Sequence, residues 1–135
     1  MKLAILGTGK IVEEVLPVLQ EINGIELSAI LSTPRSIEKA EKLAELYAIS
    51  QASSDYDNIL ANPEVDTVYV ALPNHLHYDY AKKALLSGKH VICEKPFTLT
   101  LAEFEDLAKI AEQKNRILLE AITNQYLGNF CFYQS

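Results

Sequence analysis

The residues that could do chemistry fall where apolar runs end. Gly7-Thr8-Gly9-Lys10-Ile11-Val12 follows the short run Lys2 to Leu6 and precedes apolar residues at helical spacing. The first two glycines of a G-x-G-x-x-G turn are present, and Val12 replaces the third. In such a turn the first glycine permits the tight bend and the second lets a pyrophosphate reach backbone N–H groups at a helix N-terminus. The third only sets how closely helix and strand pack. The alternative is an ordinary strand-to-helix turn, so the pattern counts only between a strand and a helix.

A second cluster, Ser32-Thr33-Pro34-Arg35-Ser36, stands after the next apolar run. There a NAD-binding chain usually offers a carboxylate to the ribose hydroxyls, about 20 residues past the glycines. Two hydroxyls and an arginine without a carboxylate suit a 2′-phosphate better, because a guanidinium pairs with phosphate in a bidentate, charge-assisted way. NADP is therefore favoured over NAD. The competing reading, of equal weight, has Arg35 solvated at the start of the next helix.

Two further clusters share one setting. Leu72-Pro73-Asn74-His75-Leu76-His77 ends the run Thr67 to Leu72, and Glu94-Lys95-Pro96 ends the run His90 to Cys93. Both lie at carboxyl ends of strands, the rim where open α/β sheets bind ligands. A lysine there could polarise or deprotonate a hydroxyl if its surroundings tune its pKa. Each also has a plainer reading: Asn74 as a helix N-cap, His77 as a buried first-turn histidine bonded to backbone, and Glu94-Lys95 as a surface charge pair.

The elements that must position these residues alternate. Lys2–Leu6 is a strand, and Ile11, Val12, Val15, Leu16, Leu19 and Ile22 form a helical stripe that is expected to kink at Pro17. Ile25–Leu31 is a strand, and residues 37–47 a helix. A short strand is expected within 48–54, and a short helix over 56–60. Thr67–Leu72 is a β-branched strand, His77 to Leu85 a helix stopped by Gly88, and Ile117–Ile122 a last strand. Thr100 and Glu103 have capping-box spacing ahead of a stripe formed by Leu101, Phe104, Leu107, Ala108 and Ala111. Alternation of this kind predicts an α/β fold, a doubly wound parallel sheet of the Rossmann type.

Composition narrows the classes. Hydrophobic residues at 49% and charged residues at 22% describe one folded domain, not a disordered chain. A net charge of -6 and a pI near 5.0 argue against nucleic acid as a partner. Gly7, Gly9 and the Glu13-Glu14 pair interrupt the N-terminal apolar run before it could serve as a signal or a membrane segment, so a cytoplasmic protein is expected. Cys93 and Cys131 suit a reducing compartment, and no metal-ligand spacing or G-x-S-x-G elbow occurs.

The linked pattern of "AILGTGKIVEEVLPVL" with Asn74-x-x-His77, an alanine-containing helix, Gly88-Lys89-His90-Val91 and Glu94-Lys95-Pro96 closely resembles the N-terminal domain of the glucose-fructose oxidoreductase / inositol dehydrogenase (Gfo/Idh/MocA) family. The resemblance extends to about Tyr126. It implies hydride transfer between NAD(P) and a small hydroxylated substrate, commonly a sugar or cyclitol. By matching motif it implies that Lys95 is the catalytic residue, touching the reacting hydroxyl or the nicotinamide ribose. Glu94 and Pro96 would line the cofactor site, and the Leu72-Pro73-Asn74 and His77 loop would lie near the nicotinamide. Gly7, Thr8, Gly9, Lys10, Ile11, Ser32, Thr33 and Arg35 would complete cofactor binding.

The family continues into a second, substrate-holding α/β domain. Residues 1–122 are thus expected to form the nucleotide-binding domain, and the uncharged, aromatic 123–135 a truncated or frameshifted start of the missing one. The alternatives are a non-enzymatic nucleotide-binding or homodimerising module, motivated by the apolar tail, or an inactive remnant.

Overall fold

The computed structural model describes residues 1–72, 74–94, 100–124 and 129–134, with side chains described for 1–72, 75–93 and 100–119. A central sheet runs in the order β3-β2-β1-β4-β5-β6-β7. Its strands are β1 (Lys2–Leu6), β2 (Glu26–Leu31), β3 (Gln51–Ser53), β4 (Thr67–Val70), β5 (His90–Glu94), β6 (Leu118–Asn124) and β7 (Asn129–Gln134). The first six pair in parallel, as the alternation predicts. β7 pairs antiparallel with β6 along its whole length, from Asn124 opposite Asn129 to Leu119 opposite Gln134. No element is read there from the sequence, and an antiparallel neighbour needs no crossover helix.

The helices are α1 (Lys10–Glu21), α2 (Ile37–Leu46), α3 (Tyr56–Leu60), α4 (His77–Leu86) and α5 (Leu101–Lys114). They divide between the two faces of the sheet. Val12, Val15, Leu16 and Leu19 of α1 and Ala40 and Leu43 of α2 pack with Leu3, Ile5, Ile30 and Tyr69. On the other face Ile59, Leu85 and Leu107, from α3, α4 and α5, pack with Ala4, Leu6, Val68, Val70 and Val91. Adjacent strand residues thus point to opposite cores, which is why these strands carry apolar residues on both faces. Leu16 is fully buried, and shortening it to alanine would cost about 2–5 kcal/mol.

Two details show local sequence answering to the fold. In β2 both Leu27 and Ile30 join the α1 side, a three-residue spacing that breaks strand alternation. The register explains it: Leu27 pairs with Leu3 and Ala29 with Ala4, so Ser28 is the extra residue of a bulge. At α5 the capping box forms with both bonds, Glu103 N–H to Thr100 Oγ1 at 3.1 Å and Thr100 N–H to Glu103 Oε1 at 3.0 Å. Such a cap contributes about 1 kcal/mol. α1 continues through Pro17, which lies on its exposed face. No helix among the described residues is long and apolar enough to cross a membrane.

Candidate nucleotide-binding site

β1 lies between β2 and β4, where the chain order reverses and the carboxyl ends of neighbouring strands splay apart. The glycine turn sits in that gap. Gly7 donates its N–H to the Leu31 carbonyl at 2.9 Å and has φ +121. A Cβ there would stand 2.9 Å from the Ala71 carbonyl oxygen, so both the conformation and the neighbour require glycine. Gly9 is different. Its φ is -76, which any residue adopts, and a Cβ would meet no atom within 4 Å.

Nothing in the fold itself demands a glycine at position 9. The position faces open space at the N-terminus of α1, which no side chain caps and whose first bonds are Val12 N–H and Glu13 N–H to the Gly9 carbonyl. An open backbone approach at a helix start is what a dinucleotide pyrophosphate needs, so the residues present fit that group.

A cleft of about 600 Å³ extends from this turn, lined in part by Gly7, Thr8, Gly9, Ile11, Ser32 and Thr33. The cleft also brings in residues that spacing did not single out, namely Leu31, Ser54, Tyr56, Ala71 and Tyr80. Leu31, Pro34, Ser36 and Ser54 border it beside the 32–36 loop, and Tyr56, Leu76 and Tyr80 form its aromatic and aliphatic wall with Ala71 and Leu72. Lys10 and Arg35, by contrast, are exposed and outside the lining.

The loop after β2 is organised by its own backbone. Ser32 is buried, gives its N–H to the Ser53 carbonyl at 3.0 Å and turns its Oγ–H onto the Thr33 carbonyl at 2.9 Å. Its hydroxyl hydrogen is therefore committed to the loop. Ser36 N–H closes on the Thr33 carbonyl at 3.0 Å, making a 3₁₀ turn over Pro34–Ser36. Arg35 projects from that turn, exposed, with no ion pair among the described residues, whereas nearby Lys39 is taken by Glu13 at 3.0 Å.

The segment after β4 forms the opposite wall. A 3₁₀ turn over Asn74–Leu76 leads into α4, whose N-cap residue is Leu76. Asn74 is thus not the helix N-cap; the intervening turn moves the cap two residues on, to Leu76. His77 is 1% exposed, and its Nε2 lies 2.7 Å from the Leu72 carbonyl, while its Nδ1 has no partner in the described structure. Burial holds its pKa below the ordinary value, so the ring is neutral with Nε2–H donating. Tyr56 donates to the Tyr80 carbonyl at 2.7 Å and their rings stack with centroids 4.8 Å apart. Burial pushes the Tyr56 phenol well above its usual range, so this donor stays protonated.

Glu94 is the last residue of β5, in register with Ala121, which puts it on the same carboxyl rim. Pro73, Lys95 and Pro96 lie outside the described residues, as do the side chains of Asn74 and Glu94. The other half of the linked pattern sits at the opposite end of the sheet. Lys89 Nζ donates to the Val65 carbonyl at 2.5 Å, Arg116 Nε to the Gly88 carbonyl at 2.5 Å, and Ile117 N–H to His90 Nδ1 at 3.0 Å. A smaller cleft of about 300 Å³ there is lined by Met1, Asp66, Thr67, His90 and Ile117 among others. Met1 N, Asp66 Oδ1, Thr67 Oγ1 and His90 Nδ1 there are already bonded within the fold.

The model of an oxidoreductase family with an NAD-binding Rossmann fold, Gfo/Idh/MocA, matches residues 1–122. The chain belongs to this family. An uncharacterized oxidoreductase of Rhizobium meliloti is 39% identical over 123 residues, which are 90% of this chain and 36% of that protein. The scyllo-inositol 2-dehydrogenase (NADP(+)) of Bacillus subtilis is 35% identical over 130 residues, 96% of this chain and 39% of that one. Among solved structures, a 3-ketoreductase from Actinomadura kijaniata in complex with NADP and TDP-benzene superimposes with a TM-score of 0.81 at 32% identity, over 87% of this chain and 36% of that one. This Gfo/Idh/MocA chain thus spans little more than a third of the length of the relatives it matches.

Proposed function

We propose that this chain binds NADP as the nucleotide-binding part of an oxidoreductase that moves a hydride between the cofactor and a hydroxyl or carbonyl group of a small substrate, such as a sugar or cyclitol. The observation that carries this is Gly9: a glycine with no conformational or packing need, open to solvent at an uncapped helix start. Support for the phosphorylated cofactor comes from Arg35, exposed and without an ion pair among the described residues, in a loop lacking any carboxylate. The names of relatives that act with NADP(+) agree with it.

When bound, the nicotinamide ring accepts or returns the hydride. The chain's own residues do the rest. Backbone N–H groups of the Gly9-Lys10-Ile11 turn hold the pyrophosphate at the positive end of α1. Thr33 and Arg35 take the 2′-phosphate, the guanidinium in bidentate fashion. By the family resemblance Leu72, Pro73 and Asn74 would line the nicotinamide end with Glu94 and Pro96, and Lys95 would exchange the proton with the substrate hydroxyl.

Thermal melts of the 135-residue chain with increasing NADPH or NADH test this reading. Binding to the native state must raise the midpoint with ligand concentration, by about 2.7 kcal/mol of stability at a hundredfold excess over Kd. A larger rise with NADPH than with NADH is expected. An unchanged midpoint at millimolar concentrations of both would refute it.

A further inference from the structure

We infer that His77 is a positioning residue for the nucleotide cleft, which it shapes without lining it. This rests on the reading of the cleft as the NADP site. From the first position of α4 the imidazole reaches back to the Leu72 carbonyl at 2.7 Å, closing the segment that joins β4 to α4. That segment delivers Leu72 and Leu76 to the cleft wall, and the helix it starts delivers Tyr80. Leu72 also stands over the glycine turn, its Cδ2 3.6 Å from where a Gly7 side chain would begin. His77 itself is absent from the lining and 1% exposed, so the role inferred for it is exerted through the backbone it bonds.

A histidine is specifically suited to this bond. Its Nε2 lies at the far side of a rigid ring, which spans the distance from the helix to the strand end with two side-chain torsions to fix. Tyr56 secures the same wall from the other side through its bond to the Tyr80 carbonyl. Two buried side chains therefore hold one wall by its backbone.

The test compares His77→Gln, whose amide N–H₂ reaches about as far as Nε2, with His77→Leu, which fills space without a donor, and His77→Asn, whose donor falls short. NADPH titration calorimetry on the whole chain, well below each melting midpoint, reads binding by the folded population alone. A purely structural role would lower the midpoint and leave that affinity unchanged. The Leu and Asn variants should bind NADPH about tenfold more weakly, and Gln within about threefold of the parent. If the Leu variant does not fold, the Asn and Gln pair decides. Parent-like affinity in folded Leu or Asn variants, or a Gln variant as weak as Asn, overturns the inference while leaving the site intact. Absence of NADPH binding by the parent chain overturns the site reading, and this inference with it.

Discussion

The two rims of the sheet hold similar residue types in opposite states. At the amino-end rim the polar and charged groups of Met1, Lys2, Asp66, Lys89, His90 and Arg116 each have an internal use. The N-terminal ammonium donates to the Gly24 carbonyl at 2.6 Å, Lys2 pairs with Glu64 at 2.8 Å, and Asp66 accepts from Lys2 N–H at 3.0 Å and Thr67 Oγ1 at 2.8 Å. Lys89, His90 and Arg116 hold the strand starts. At the carboxyl-end rim α1 has no side-chain cap, Gly9 faces nothing within 4 Å, and Arg35 has no ion pair among the described residues. A ligand site is marked here by groups left open, since lysine, arginine, histidine and glycine occur at both ends.

That contrast can be broken at chosen positions. The largest effect is expected from Gly7→Ala, which must hold a side chain at φ +121 and 2.9 Å from the Ala71 oxygen. It should lose nucleotide binding and about 1–3 kcal/mol of stability, seen in urea unfolding. Gly9→Val should leave stability within about 1 kcal/mol yet weaken NADPH binding by about tenfold or more, because its side chain occupies the open approach. Equal damage to stability from the two glycine variants would erase the distinction between fold-required and ligand-required glycine.

Smaller effects should separate the rims further. Arg35→Ala should weaken NADPH by about tenfold and leave NADH within about twofold, because only the former carries the extra phosphate. Calorimetry with both cofactors measures this. Lys89→Met, at the other rim, should cost about 1–3 kcal/mol in unfolding and leave NADPH affinity unchanged, because its ammonium bonds to the Val65 and Asn62 carbonyls at the far end of the sheet. A change in affinity there would mean that the rims are coupled.

The least change should come from pH. Burial holds the His77 and His90 imidazoles below their ordinary value of 6.5, and for His90 the nearby Arg116 charge adds to this. The unfolded chain then takes up protons that the folded chain resists, so stability is full above that value and declines as pH falls through it. His77→Gln should make the decline between pH 7.5 and 5.5 shallower in urea midpoints. An identical slope would show that His77 does not contribute.

Much of the fold is legible along the chain because it is written in local periods. The α1 stripe, the Thr100/Glu103 capping box and the apolar runs of β1 and β4 each read correctly, since helix phase, caps and two-sided burial depend on residues a few positions apart. The turn of Gly7 and Gly9 was recognisable for the same reason. β7 was not: its partner β6 is its neighbour in the chain, but Asn129 to Gln134 lacks the alternation of apolar and polar residues that marks a strand. Nor was the bulge at Ser28, which exists only in the register with β1.

The site divides in the same way. Sequence alone determined which strands end in glycine, hydroxyl, arginine and the asparagine-histidine pair, and hence that these groups meet on one rim of a parallel sheet. Only the tertiary structure separated the roles of two glycines with the same name, turned the Ser32 hydroxyl into its own loop and buried His77 behind the wall it holds. It also brought Tyr56 beside Tyr80, and assigned Lys89 and His90 to scaffolding at the far rim. The reason is physical. Identity and spacing specify what a residue can do, but burial, neighbours and free space decide which of its groups remain available to a ligand.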